Sequence, residues 1–111
     1  MKDEELTGAG GFIYNVTVKV EAGAADAWLD WMINEYAPAV LNTGCFADFK
    51  VVRLLEVDDT EGPTYAIQYH AESIADYNRY AEFYDAQYRK KAYEKWGERF
   101  IAFHSIMRIV K

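Results

Sequence analysis

The first regular pattern along the chain is an alternation of apolar residues with mostly polar ones. Between positions 12 and 20, every second residue is apolar, namely Phe12, Tyr14, Val16, Val18 and Val20. The residues between them are Ile13, Asn15, Thr17 and Lys19. A period of two places alternate side chains on opposite faces of an extended chain. The pattern predicts a first β-strand with one fully apolar face.

A helix and a hairpin are predicted next. Residues 24–41 carry apolar side chains at helical spacing and lead to Gly44, which suits the end of a helix. Pro38 is expected to kink this helix or to begin a separate last turn. Residues 45–57 and 64–71 are rich in β-branched and aromatic side chains, and the turn residues between them predict a hairpin.

A second helix and a fourth strand complete the pattern. Ser73 is placed to cap the helix at its start and Gly97 to close it. The following strand alternates two sets, which are Ile101, Phe103, Ser105, Met107 and Ile109 against Ala102, His104, Ile106, Arg108 and Val110. We expect the first set to face the core and the second set to face away from the helices.

The element order predicts an α+β, ferredoxin-like β-α-β-β-α-β fold with a four-stranded antiparallel sheet and two helices on one face. We expect one domain over residues 12–111, preceded by a flexible, glycine-rich leader over residues 1–11. Two helices cover only one face of the sheet, yet apolar residues occur on both faces. The uncovered patch favours a homodimer in which two sheets pack into an α/β barrel.

Composition excludes several classes of function. The net charge is −6, and no broad basic face is present to neutralise a nucleic-acid backbone. The chain lacks an apolar run long enough for a membrane span and a recognisable signal peptide, so we expect a cytoplasmic protein. Aromatic residues make up 16% of the chain, which means that large rings must be packed or must surround a ligand.

Polar residues on the second face of the predicted sheet form one group of candidate ligand-binding residues. The group consists of Asn15, Arg53, Gln68, His70 and His104, together with Thr17. These side chains converge either on a polar pocket in the dimer barrel or on a hydrogen-bonded interface network. No metal-ligand spacing is present, because the two histidines lie on different strands and Cys45 is the only cysteine. The sequence points to no cofactor.

A second candidate lies between the helices and the sheet. Trp28 and Trp31 flank the apolar stripe of the first helix, and Tyr84 and Tyr88 lie on the stripe of the second. These rings either edge a flat aromatic slot or simply fill the core.

Several segments together resemble a known family. They are YNVTVKV, WLDWM, APAVLNTGCF, RLLEVDDTEGPTYAIQY, YNRY and KWGERFIAF. The chain is similar over Phe12 to Arg108 to the bacterial family catalogued as domain of unknown function 4286 (DUF4286), found mostly in Bacteroidetes. The resemblance implies a dimeric, ferredoxin-like barrel and supplies no activity.

The chain departs from that family's pattern at two positions. Tyr36 and Tyr84 stand where members tend to carry histidines, and a phenol is a poor general base at neutral pH. The fold is also similar to that of small dimeric-barrel oxygenases, in which an asparagine on the first strand lies near a tryptophan and a histidine. Asn15, Trp31 and His104 resemble that set.

Three functions follow from these observations. The leading hypothesis is a homodimeric binding module that encloses a small aromatic or apolar ligand. One alternative is a small oxygenase or isomerase in which Asn15 and His104 polarise a substrate stacked on Trp31. The other is a structural homodimer that docks another protein through its acidic first half.

Overall fold

The computed structural model describes residues 11–111. In chain order, its elements are β1 (Phe12–Val20), α1 (Ala25–Trp31), α2 (Ala37–Leu41), β2 (Asp48–Arg53), β3 (Thr64–Ala71), α3 (Ile74–Phe83), α4 (Asp85–Trp96) and β4 (Phe100–Arg108). Single 3₁₀ turns at Ala22–Ala24 and Gly97–Arg99 connect β1 to α1 and α4 to β4. The predicted leader lies outside the described residues except for Gly11, whose carbonyl accepts a hydrogen bond from the Ile109 N–H at 3.0 Å.

The four strands form one antiparallel sheet in the order β2-β3-β1-β4. This order, with helices following β1 and β3, confirms the predicted ferredoxin-like α+β fold. None of the helices in residues 11–111 has the length and apolar character needed to cross a membrane.

The first helical region changes its winding in front of Pro38. Residues Met32–Tyr36 form a π turn between α1 and α2, and the N–H of Ala37 bonds to the carbonyl of Met32, five residues earlier. Pro38 has no N–H, and its ring crowds the carbonyl four residues before it. A wider turn relieves that crowding, and π turns of this kind are frequent at functional sites.

The second helical region is also divided. Ser73 caps α3 as predicted, since its Oγ accepts from the N–H of Asp76 at 3.1 Å. Tyr84 then leaves helical geometry, with φ −128° and ψ −31°, and α4 begins at Asp85. Gly97 closes α4 with a φ of 59°, a conformation that glycine adopts without a steric penalty.

The strand register divides the sheet into two faces. The helix face carries Tyr14, Val16 and Val18 of β1, and their partners include Tyr69 and Ile67 of β3. The largest fully buried side chains lie in this core and are Trp28, Tyr69, Ile67, Val20, Val40 and Cys45. Cys45 is thus a small buried hydrophobe, as its position favours.

The face assigned to β4 from its sequence is wrong. His104 pairs with Val16 and Ala102 pairs with Val18, so both lie on the helix face. Ile101 and Phe103 instead lie on the opposite side of the sheet and are 55% and 65% exposed. The alternation itself is correct, but each set contains several apolar residues, and hydrophobicity therefore could not identify the set that faces the core.

We call that opposite side the open face. Its exposed apolar side chains are Val52, Ile101, Phe103 and Met107, and the half-buried Ile13 adjoins them. The β2 strand is shorter than predicted, since Cys45 and Phe46 precede it as buried core residues. Arg53 pairs with Tyr65 and so belongs to the helix face, which corrects its predicted place on the open face.

The loop between β2 and β3 is held against the end of β1. The N–H of Val20 bonds to the carbonyl of Pro63 at 3.0 Å, and the N–H of Ala22 bonds to that of Glu61 at 2.9 Å. Gly62 is buried between these two bonds with a φ of 149°. The backbone passes so closely that no side chain fits at this position.

Candidate functional site

A cavity of about 500 Å³ lies between the helix face of the sheet and the helices. Its walls are mostly apolar and aromatic. They comprise Tyr14, Val16, Val18, Trp28, Met32, Tyr36, Ile67, Tyr69, Tyr80, Arg89, Ala92, Tyr93, Gly97, Glu98, Phe100, Ile101, Ala102 and His104. The exposed Tyr93 and Glu98 place the mouth of the cavity where α4 ends and the chain continues into β4.

Each tyrosine of the cavity comes from a different element. Tyr14 and Tyr69 extend from the two central strands, and their rings stack at 5.8 Å between centroids. Tyr80 comes from α3, and its ring lies 5.6 Å from that of Tyr14. Tyr36 comes from the π turn, so the change of winding in front of Pro38 sets where this ring enters the cavity.

One carboxylate anchors the polar part of the site. Asp85 accepts a hydrogen bond from the Tyr14 hydroxyl at 2.8 Å through Oδ1, and its Oδ2 lies 2.7 Å from Nε of Arg89. The carboxylate is at the first position of α4, where the helix dipole stabilises negative charge. Both of its oxygens are therefore engaged, and its charge is compensated by Arg89.

Three further hydroxyls have no such partner. Within residues 11–111, the hydroxyls of Tyr36, Tyr69 and Tyr80 form no hydrogen bond, whereas Nε1 of Trp96 is the one fully occluded side-chain polar atom left unpaired. The three hydroxyls must therefore reach the cavity surface. Burial, together with Asp85 or the neighbouring phenols, raises the pKa of all three tyrosines, so they remain neutral donors near pH 7.

His104 faces the same part of the cavity. Its imidazole stacks on the ring of Tyr14 at 6.0 Å, with 22° between the planes. Burial lowers the pKa of His104, and the positive charge of Arg89 lowers it further, while Asp85 opposes both. The imidazole is consequently neutral at pH 7 and adds an acceptor to the site.

The cavity contains some of the residues predicted for the aromatic slot. Trp28 lines it, as does His104 from the other predicted group. Tyr36, which stands where the family tends to carry a histidine, lines it as well. Trp31 does not, because it is buried against Tyr36 and Trp96 at 4.8 and 5.8 Å. Tyr84 is half-buried at the break between α3 and α4 and also lies outside the lining.

The remaining predicted residues lie elsewhere. Asn15, Gln68 and His70 share the open face, where Asn15 accepts from Gln68 at 3.2 Å and donates to Thr17 at 3.0 Å. Asn15, Thr17 and Gln68 therefore satisfy one another through hydrogen bonds. Arg53 is exposed and pairs with Asp59 at 3.3 Å.

Asn15 and His104 consequently lie on opposite faces of the sheet. They cannot act on one molecule, so the predicted pairing of these two residues in catalysis is wrong. The cause is the reversed face of β4.

Sequence reasoning missed the residues that define the polar part of the cavity. Tyr14 was predicted only as one of the apolar residues of β1, and Asp85 and Arg89 were not recognised as a pair. Their spacing of four residues on one helix was the available signal, since it places opposite charges side by side. Among the residues that the structure describes, no three His, Cys, Asp or Glu side chains gather as a metal site would require.

Removing a single hydroxyl oxygen should change the free energy of unfolding by different amounts at Tyr14 and at Tyr80. Tyr14→Phe leaves one Asp85 oxygen without its donor and is expected to lower the free energy of unfolding by about 1–2 kcal/mol. Tyr80→Phe removes a hydroxyl that is not paired within residues 11–111, and it is expected to change the free energy of unfolding by less than about 0.5 kcal/mol. Urea unfolding of both variants measures the difference, and equal losses would contradict the assigned hydrogen bonds.

Comparison with solved structures finds the same architecture in proteins of very different sequence. A dimeric ferredoxin-like protein from an uncultured marine organism superimposes with a TM-score of 0.70 at 12% identity, covering 92% of this chain and 97% of that one. An ethyl tert-butyl ether d (EthD) family protein from Bacillus halodurans gives a TM-score of 0.58 at 15% identity, covering 85% and 96%. At such identities the similarity establishes the fold alone.

Sequence comparison gives a longer and more specific match. A family model described as domain of unknown function (DUF4286) matches residues 11–110. No curated protein matches the chain in sequence.

Proposed function

The chain belongs to the DUF4286 family, and we propose that it is a homodimeric binding protein that encloses a small aromatic or apolar ligand in the cavity between its helices and its sheet. The cavity is the observation that carries this proposal. Its volume of about 500 Å³ lies within the range of pockets that bind small molecules, roughly 300–1,000 Å³. Apolar walls with a few polar groups at one place are also typical of such pockets.

The cavity favours this function over the two alternatives. A homodimer that only docks another protein has no need of an internal cavity lined by buried aromatic rings. The oxygenase or isomerase hypothesis relied on Asn15 and His104 acting together, and these residues lie on opposite faces of the sheet. His104 alone lines the cavity, and a neutral imidazole there also serves a binding site as a hydrogen-bond acceptor.

The open face supports the dimeric part of the proposal. Phe103 and Ile101 are more than half exposed on β4, Met107 is exposed farther along the same strand, and Val52 is exposed on β2 at the opposite edge of the sheet. Several exposed apolar side chains on one face usually mark an interface. The marine protein that shares this fold is described as dimeric, and a second copy of the chain is the partner that suits the same face here.

Fluorene, a flat tricyclic hydrocarbon, provides a direct test of ligand binding. We expect it to bind with one molecule per protomer. Ala102→Phe should weaken binding by about 100-fold, because Ala102 lines the cavity and a phenyl ring at this position occupies the ligand's space. Equilibrium dialysis measures both quantities.

Ala81→Phe is the matched control. Ala81 lies exposed on α3 outside the cavity lining, so the same substitution there should leave fluorene binding unchanged. Absence of fluorene binding to the wild type, or equal binding by both variants, would overturn the proposal.

A further inference from the structure

Resting on the proposed function, we infer that the ligand of this cavity carries a neutral oxygen acceptor, such as the carbonyl of an aromatic ketone. The inference depends on the number of donors and acceptors that the cavity presents. Tyr36, Tyr69 and Tyr80 each present a hydroxyl that is unpaired within the described residues 11–111. Such hydroxyls are stabilised by a ligand atom that accepts hydrogen bonds.

Away from its mouth, the cavity offers fewer side-chain acceptors than donors. Asp85 lies outside the lining, and its two oxygens already receive the Tyr14 hydroxyl and Nε of Arg89. Glu98, the carboxylate of the lining, is exposed at the mouth. The neutral imidazole of His104 can accept one hydrogen bond. Away from the mouth, the three hydroxyls therefore outnumber the one imidazole acceptor, and a ligand that only donates would leave their O–H protons without an acceptor.

The three tyrosine rings are gathered around shared neighbours. Tyr69 and Tyr80 both pack on Tyr14, with ring centroids 5.8 and 5.6 Å from it, and Tyr36 and Tyr80 both pack on Tyr88, at 5.8 and 6.3 Å. Donors gathered in this way can share one oxygen atom, since a carbonyl oxygen accepts two hydrogen bonds through its two lone pairs.

The charges around the cavity favour a neutral acceptor over a carboxylate. Arg89 is the cationic side chain of the lining, and it is already paired with Asp85. Glu98 is exposed at the mouth, and the whole chain has a net charge of −6. An anionic ligand would meet repulsion at entry and no uncompensated cation inside.

Fluorene and 9-fluorenone test the inference, because they share one skeleton and differ by a methylene and a carbonyl. We expect fluorenone to bind about tenfold more tightly than fluorene, and fluorene-9-carboxylate to bind no more tightly than fluorene. The carbonyl stretching frequency of bound fluorenone should fall below its value in an apolar solvent, which reports the hydrogen bonds directly.

The triple variant Tyr36→Phe, Tyr69→Phe and Tyr80→Phe should reduce the ratio of fluorenone affinity to fluorene affinity from about tenfold to about one. Tyr65→Phe is the matched control, since Tyr65 is buried on the same face against Trp28 but does not line the cavity. Each substitution is conservative in shape, and the bound carbonyl frequency provides a second measurement if the triple variant is unstable.

The outcomes separate the two proposals. If neither compound binds, the proposed function fails. If both bind with equal affinity, or if the carboxylate binds best, the cavity is a binding site but the inferred ligand class is wrong.

Discussion

Replacing Gly62 with alanine is expected to lower the free energy of unfolding by about 3 kcal/mol or more, a larger loss than at any other glycine compared below. A Cβ atom at this position would lie 1.8 Å from the carbonyl oxygen of Val20 and 2.8 Å from the nitrogen of Ala22. Both atoms belong to the backbone, so no side-chain rotation relieves the clash. The φ of 149° adds backbone strain for any residue with a Cβ.

Alanine substitution at two other glycines measures the cost of backbone strain apart from the cost of steric overlap. Gly44 has a φ of 81°, but no atom lies within 4 Å of the position that a Cβ would take, so Gly44→Ala should cost about 1 kcal/mol from strain alone. Gly23 has open space and no positive φ, and Gly23→Ala should be neutral or slightly stabilising. Urea unfolding ranks the three variants by their loss in the free energy of unfolding. A loss for Gly62→Ala no greater than the loss for Gly44→Ala would refute the close packing of this loop against the end of β1.

Phe103→Arg is expected to raise the dissociation constant of the homodimer by at least about 100-fold, because it places a charge within the proposed apolar interface. Phe103 is 65% exposed on the open face, in register with Thr17 of β1. Sedimentation equilibrium over a range of protein concentrations measures the constant for the wild type and the variant.

Phe83→Arg provides a closely matched control for that experiment. Phe83 is 64% exposed, but it lies at the end of α3 on the other side of the molecule from the open face. The same change of charge and size there should leave the dimer intact. A wild type that stays monomeric, or equal effects of the two substitutions, would show that the open face is not the interface.

The fold could be predicted from the sequence because the local signals agree with one another. The alternation in β1 is strict, Ser73 and Gly97 delimit the second helical region, and the turn residues before Pro63 separate the hairpin strands. Each signal depends on neighbouring residues alone. The two breaks in the helical regions were harder to predict from the sequence, because only one of them was indicated by a residue type, Pro38.

The candidate site could be predicted only in part, because its geometry depends on contacts between distant residues. The faces of β4 were exchanged since this strand is apolar on both sides, and the error moved His104 away from its true neighbours. Tyr14 and Asp85 are 71 residues apart in the chain, and no local pattern joins them. Trp28 was identified because aromatic residues beside the apolar stripe of a helix usually face the interior.

The π turn at Met32–Tyr36 also has a consequence for comparing members of the family. It accommodates one more residue than an α-helical turn between the same two buried positions, Met32 and Ala37. A homologue with one residue deleted in this segment, and without Pro38, could therefore form a continuous α-helix while both flanking segments kept their buried faces. Alignments of the family should allow a single-residue gap in this turn, because forcing an ungapped match would rotate every preceding helical position by about 100°.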